Sequence, residues 1–383
     1  MSTATPDPGA LPARMPALDG LRAIAVLLVV PHNFNLMVAL GGAAYFVVVG
    51  LHRGWIGVQL FFVLSGFLIT GILLDTRDAP GYFRSFFVRR VLRIFPLYYF
   101  TLLVLLVVLP GLGLVPAPRR DALLELSYWA YFSNWYGPFH PGEDSLSHFW
   151  SLACEEQFYL LWPFVVYRRS ARWVLRLCLA VAAAALLVRI GMLRAGAPVQ
   201  AIYQFLATRM DALAFGGAAA AAFRIPSAAS WALNRRRLLS GTGLASIAAG
   251  AAISRGYNFA EPATLSLGYT LLGLGFALLV AAAAATDWLG AGGWLAALRW
   301  DPLRRIAKYS YAMYVLSVPI HFLAGKPALS ALGLAPGDSL IVGLGYVFAG
   351  TAVSFLAAAA SYYFFERHFL ELKDRLAAPG AAP

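Results

Sequence analysis

Ten apolar stretches alternate with short polar segments, at about 18–40, 55–74, 95–115, 147–167, 173–193, 203–223, 238–254, 264–285, 305–325 and 339–365. At 1.5 Å per residue, about 20 apolar residues in a helix cross a hydrocarbon core of about 30 Å. Backbone in lipid must satisfy its own N–H and C=O groups, so lone apolar runs of this length are helices. The pattern predicts an all-α fold, a polytopic membrane helical bundle of about ten transmembrane helices. No internal repeat is visible, and no separate soluble domain. The expected layout is a disordered cytoplasmic tail over 1–16, a membrane domain over 17–370 and a cytoplasmic C-terminal tail over 371–383. The first 16 residues are rich in Pro, Ala and small polar groups and lack the apolar core of a signal peptide.

Composition agrees with the pattern: 60% of residues are hydrophobic and the mean hydropathy is +0.70, which excludes an ordinary soluble domain. The net charge of +12 would suggest nucleic acid in a soluble chain. Here the arginines sit between the spans, where topology and anionic lipid explain them, so no nucleic-acid partner is expected. With the N-terminus inside, the inner segments hold 21 basic residues and the outer segments 6. That bias predicts an integral protein of the bacterial cytoplasmic membrane with both termini cytoplasmic. The outer loop at 116–146 carries aromatic residues, Tyr128 to Tyr136, of the kind that line a membrane interface. Cys154 and Cys178 have no metal-site spacing, and no metal is expected.

Polar residues inside the apolar stretches are the candidates for chemistry, because an ionisable group at that depth is costly and by default functional. The run His148–Pro163, HFWSLACEEQFYLLWP, carries Glu155 and Glu156 side by side. On a helix His148, Ser151, Glu155, Tyr159 and Trp162 share one face, and Glu156 points about 100° away. A lone structural ion pair with an arginine explains one carboxylate equally well. His32 follows Pro31 in the first span, about 15 Å along the axis from Arg22. A histidine there can act as a general base, and Asp19 can pair with Arg22. Ser65 and Gly66 would let a neighbouring helix approach closely. The basic run Tyr82–Arg93, with Arg84, Arg89, Arg90 and Arg93, would lie at the inner surface, against lipid or as a clamp for the phosphates of a cofactor. Arg209 and Asp211 are two residues apart, do not face each other on a helix, and each needs a partner elsewhere, Glu155 being one candidate for Arg209. Ser310, Tyr314, Ser317 and His321 line one face at steps of four, three and four.

Six motifs in order, LDGLRAIAVLLVV, GVQLFFVLSGFLIT, RRVLRIFPLYY, WSLACEEQFYLLWP, YSYAMY and SYYFFER, span Leu18 to about Leu370. The chain resembles the acyltransferase 3 family of integral-membrane acyltransferases. The resemblance implies transfer of an acyl group, often acetyl, from acyl-CoA to a hydroxyl of a sugar, glycolipid, surface polysaccharide or glycosylated metabolite. It implies that His32 is the membrane histidine of the reaction, with Arg22 its partner in the same motif, and that Glu155 is the family's glutamate. Arg90 and Arg93 match its basic residues before the third span. On this reading Arg22, Arg84, Arg89, Arg90 and Arg93 hold acyl-CoA, and Ser151, Tyr159, Arg209, Asp211 and His321 line the acceptor site. There are departures. Nine residues separate Arg22 from His32 where the family has ten, so Pro31 must turn His32 back by about 100°. Ser317 stands where many members have histidine, and His321 one turn later can substitute. Gln59 replaces a common aspartate and His368 a common proline. The extracytoplasmic domain of larger members is not expected here. The competing function is a transporter or flippase for a glycolipid or small molecule, which buried charges also suit. The missing repeat weighs against it.

Overall fold

In the computed structural model the described residues are 14–34, 43–115, 122–140, 145–259, 261–335 and 339–376. Side chains of 43–46 and of 374 and 375 are not described. Most of the two expected tails, 1–13 and 377–383, and much of the outer loop lie outside these residues. Among the described residues there is no strand. The principal helices are α1 (Pro16–Asn33), α2 (Ala43–His52), α3 (Ile56–Thr76), α4 (Tyr82–Leu103), α5 (Ala122–Trp129), α6 (Phe149–Val166) and α7 (Ala171–Arg194). They continue as α8 (Leu206–Ala222), α9 (Pro226–Asn234), α10 (Arg236–Ile253), α11 (Tyr269–Trp288), α12 (Asp301–Ile320), α13 (Leu340–Ser361) and α14 (Arg367–Leu376).

Among the described residues six helical stretches are long and apolar enough to cross a membrane, and a seventh is the bent pair Val199–Ala222 and Pro226–Asn234. The three other expected spans correspond to α1, α6 and α10, each a helix of 18 residues. At 1.5 Å per residue these reach about 27 Å, just under the core thickness. The protein is an all-α polytopic bundle, as the pattern of apolar stretches predicts.

The chain divides into two compact units, with boundaries inside α1, α6 and α12. The first comprises Met1–Ala25, Ile56–Asp78 and Phe158–Ala307. In it α8 packs on α3, α7 and α11, and α10 packs on α11. Small residues make that packing possible. A Cβ on Gly66 would run into the Leu213 carbonyl, and one on Gly216 into the Val63 carbonyl, so only glycine permits these backbones to touch. The close approach expected at Gly66 is therefore present, and Ser65 joins it with a 2.5 Å hydrogen bond to the Tyr159 hydroxyl. Ser170 caps α7 by accepting from the Trp173 N–H at 3.2 Å.

The second unit comprises Val26–Trp55, Ala79–Gln157 and Lys308–Pro383. Here α14 packs on α4. The loop aromatics do not all lie at an interface. Tyr131 stacks on Tyr98 at 4.1 Å and on Phe95 at 5.5 Å, and Tyr128 is buried edge-on to Phe149, whereas Phe132 stays exposed. Aromatic area is worth more in the core than at the rim, so Tyr128 and Tyr131 turn inward.

Candidate active site

The second unit holds His32, Glu155, Arg84, Arg89, Arg90, Arg93, Ser151 and His321, and the first holds Arg22, Tyr159, Arg209 and Asp211. The last turn of α1 positions His32. Gly54 has no side chain because the Leu28 carbonyl and the His32 Cβ occupy that space. The His32 ring hydrogen-bonds the Leu51 main chain. A carbonyl only accepts, so one ring nitrogen is the donor and the other keeps a lone pair in the neutral ring.

The next two residues tie α1 to α12 and α13. Asn33 Nδ2 donates to Ser317 Oγ at 2.9 Å. Phe34 is fully buried, edge-on to His321 at 5.7 Å and to Tyr346 at 5.6 Å. Gly350 leaves room for the Phe34 ring. His321 Nδ1 is 2.7 Å from the Tyr346 hydroxyl. His321 also opens a π-helical turn, His321–Gly325, two residues after Pro319. The two residues that follow His32 are thus packed against Ser317 and His321, and π turns of this kind recur at functional sites.

The α6 stripe meets α12. Ser151 Oγ and the Tyr314 hydroxyl are 2.6 Å apart, and the Tyr314 hydroxyl donates to the His148 carbonyl at 3.0 Å. His148 Nε2 lies 3.1 Å from the Val315 carbonyl. That carbonyl sits four residues before Pro319, which has no N–H to give it, so His148 supplies the missing donor. The bond fixes the proton on Nε2 of the neutral ring, and Nδ1, buried, makes no hydrogen bond among the described residues. The sequence placed His148 on the stripe but gave it no role; the spacing Val315–Pro319 was the available signal.

Glu156 lies within electrostatic reach of Glu155, Arg90, Tyr98, Tyr99, Tyr131 and Tyr311. Its Oε1 and the Tyr131 hydroxyl are buried without hydrogen-bond partners among the described residues. Tyr311 donates to the Ile94 carbonyl at 2.8 Å and lies in the field of Glu155 and Glu366. So α4, α6 and α12 converge on a carboxylate–tyrosine cluster with Arg90 at its edge. The four arginines of α4 split: Arg84, Arg89 and Arg93 are exposed, and Arg90 is half-buried over the Phe86 ring at 5.9 Å.

In the first unit Arg22 pairs with Asp19 at 3.4 Å, as the three-residue spacing allows. Asp211 does find a partner on another helix. It is Arg189 of α7, at 2.7 Å, and both side chains are fully buried. Arg189 also donates to the Thr208 carbonyl and to Thr270 Oγ1 at 2.6 Å. Arg209, fully buried, lies over Tyr269 at 4.5 Å, Tyr203 at 5.1 Å and Phe62 at 5.7 Å. Gln59 Nε2 donates to the Tyr269 carbonyl at 3.3 Å, and Gln59 Oε1 is buried without a hydrogen bond among the described residues. Arg189 lies within the apolar stretch 173–193, and its partner is not legible in the sequence.

Fold and site together define a polytopic α-helical membrane protein with histidines, carboxylates and arginines held in its bundle. The chain belongs to the acyltransferase 3 family: the family's sequence profile, described as an acyltransferase domain, matches residues 15–362. It is 43% identical over 161 residues to YrhL of Bacillus subtilis (strain 168), to which a peptidoglycan O-acetyltransferase role is ascribed. It is 37% identical over 161 residues to the peptidoglycan O-acetyltransferase OatA of Listeria monocytogenes, and 35% identical over 163 residues to the O-acetyltransferase OatA of Staphylococcus aureus (strain NCTC 8325 / PS 47). These matches cover 39% to 40% of this chain and 23% to 25% of the relatives' own lengths. No solved structure matches the chain.

Proposed function

We propose that this protein is an integral-membrane O-acyltransferase that moves an acetyl group from acetyl-CoA to a hydroxyl of a cell-wall carbohydrate. Family membership and the names of the relatives support the reaction class and the acceptor class. The observation that carries the chemistry is His32, whose bond to the Leu51 main chain leaves one ring nitrogen with a lone pair. In the reaction the acceptor hydroxyl gives its proton to that nitrogen as its oxygen attacks the thioester carbonyl. The C–O bond forms, the C–S bond breaks, and the imidazolium returns the proton to the departing thiolate. Glu155 keeps the role of orienting the base. Arg90, with Arg84, Arg89 and Arg93, binds the phosphates of the donor from the inner face, and both termini lie on that side. Arg22 is assigned to the same donor path. His321, one bond from Tyr346, faces the acceptor in this reading, and Arg209 offers it a cation among rings. Ser151, Tyr159 and Asp211 have polar atoms engaged inside the bundle, so we assign them to positioning the helices that hold the acceptor.

The test is release of free thiol from acetyl-CoA by the purified protein, run with a peptidoglycan fragment and checked by the acetyl mass shift on that fragment. Thiol release coupled to the mass shift is expected. Binding of the glycan without either product would favour the transport reading.

A further inference from the structure

One cavity of the first unit belongs to none of the residues assigned to acyl transfer. It has a volume of about 430 Å³ and opens where α3 ends, α7 begins and the chain breaks between α8 and α9. The break is sharp, since the segment Val199–Ala222 and the helix Pro226–Asn234 meet at 100°. Polar lining comes from Asp75, Arg77, Ser170, Arg172 and Arg224, and Leu74, Ile225 and Pro226 supply an apolar side.

Three guanidinium groups therefore face one carboxylate. Arg224 is fixed by a fork-to-fork pair with Asp75, its Nε at 2.6 Å from Oδ1, and by the Ala220 carbonyl at 2.7 Å. Gly71 gives the guanidinium room to lie flat. Arg77 is held by the Arg169 carbonyl at 2.9 Å and by Asp78 at 3.3 Å. Arg172 is different: it is exposed and makes no hydrogen bond or ion pair among the described residues. Its own main-chain N–H and that of Ala171 open a helix of 24 residues. N–H groups at those positions have no intrahelical acceptor, and the helix dipole adds positive potential there. A cavity with two anchored guanidiniums, one exposed guanidinium and two available amides matches the oxygens of a phosphate.

The geometry points to a binding site for a phosphate-bearing ligand in this cavity, with Arg172 and the first amides of α7 as its direct contacts. The apolar side formed by Leu74, Ile225 and Pro226 suits the carbon skeleton next to the phosphate. Two sources carry that chemistry, the headgroup of an anionic phospholipid and the phosphate chain of a soluble nucleotide. None of Arg84, Arg89, Arg90 and Arg93 lines this cavity, and binding is read without turnover, so the proposal stands or falls apart from the acyl-transfer reading.

The test uses the purified full chain in phosphatidylcholine-containing micelles. ADP binding is measured by equilibrium dialysis, and phosphatidylglycerol binding by the shift in thermal unfolding as that lipid is titrated. Arg172→Glu is compared with Arg176→Glu, the same charge change one turn along α7 and outside the cavity lining. Loss of a charge-assisted contact should weaken binding by about 10- to 100-fold in Arg172→Glu and leave Arg176→Glu near wild type. Should Arg172→Glu fail to fold, Arg172→Ala reads the same loss with one charge fewer removed. A selective loss of ADP binding identifies a nucleotide site, and a selective loss of the phosphatidylglycerol shift identifies a lipid headgroup site. If both probes treat the Arg172 and Arg176 variants alike, the proposal is overturned.

Discussion

His148→Phe keeps a planar ring between Phe149 and Tyr314 but removes the donor that the Val315 carbonyl depends on. The phenyl ring is larger than the imidazole, and overpacking a buried site costs about 1–3 kcal/mol, while a buried carbonyl left without a partner also costs about 1–3 kcal/mol. The two ranges overlap, so the single variant cannot say which loss matters. The cause of the dependence supplies the second perturbation. Val315 lacks a helical donor because residue 319 is proline, and Pro319→Ala would restore an N–H four residues on. In a Pro319→Ala background His148→Phe should therefore cost about 1–2 kcal/mol less than in wild type. Equilibrium unfolding of the purified protein in mixed micelles, followed by tryptophan fluorescence, measures all four corners of the cycle. His148→Gln, which keeps a side-chain N–H, should fall between wild type and His148→Phe. Strictly additive costs would refute the view that His148 stands in for the missing amide. The same four proteins also report on chemistry. A loss of acyl transfer in His148→Phe that Pro319→Ala fails to restore would move the bare Nδ1 into the reaction.

Asp211→Ala should destabilise by about 3–5 kcal/mol, because it strands the buried Arg189 charge, and Arg189→Met with Asp211→Leu should be less unstable than Asp211→Ala alone. A stable Asp211→Ala protein that has lost acceptor binding would instead make Asp211 a substrate contact. His32→Ala should lower acyl transfer by about 10²–10⁴-fold with normal accumulation and donor binding; near-normal turnover would pass the role to His321. Arg90→Ala with Arg93→Ala should raise the KM for acetyl-CoA, more so at high salt, and an unchanged KM would assign these arginines to lipid. Glu155→Gln should lose most activity while Glu156→Gln keeps it and is no less stable, since a neutral amide replaces a buried carboxylate among tyrosines. The reverse pattern in matched membranes would shift the catalytic carboxylate to Glu156.

Much of the fold was readable because the bilayer allows few solutions. Each expected span overlaps a helix among the described residues, six or seven of which are long and apolar enough to cross a membrane, and the stripe Ser310, Tyr314, Ser317 and His321 is buried as its spacing requires. What that stripe touches was not readable. Tyr314 meets Ser151, Ser317 meets Asn33 and His321 meets Tyr346, contacts set by which helices pack together and not by any local period. The same holds for charge. Low dielectric dictates that Asp211 be paired, but only packing decides that Arg189 on α7 is the partner. Glycine was a better guide, because Gly66 signals a close approach wherever its neighbour comes from. The aromatic loop misled in part, since Tyr131 and Phe132 are equally apolar on paper and only one faces the core.

Pro31 and Pro319 share a consequence that bears on how such a site is built. Each removes one helical N–H inside an apolar segment, and each lies within two residues of a candidate histidine. In lipid the freed carbonyl cannot turn to water, so a side chain or a neighbouring helix must satisfy it. At Pro319 the structure shows the solution, a histidine from the turn just before α6. A proline there ties two helices together through a polar bond and at the same time fixes which nitrogen of that histidine is protonated. The wider turn that follows, His321–Gly325, places His321 against Tyr346. The break at Pro319 is thus the means by which the imidazole of His148 is held with one nitrogen committed to structure. In His148 and His32 the other nitrogen keeps its lone pair, and that combination is what a general base within a membrane requires.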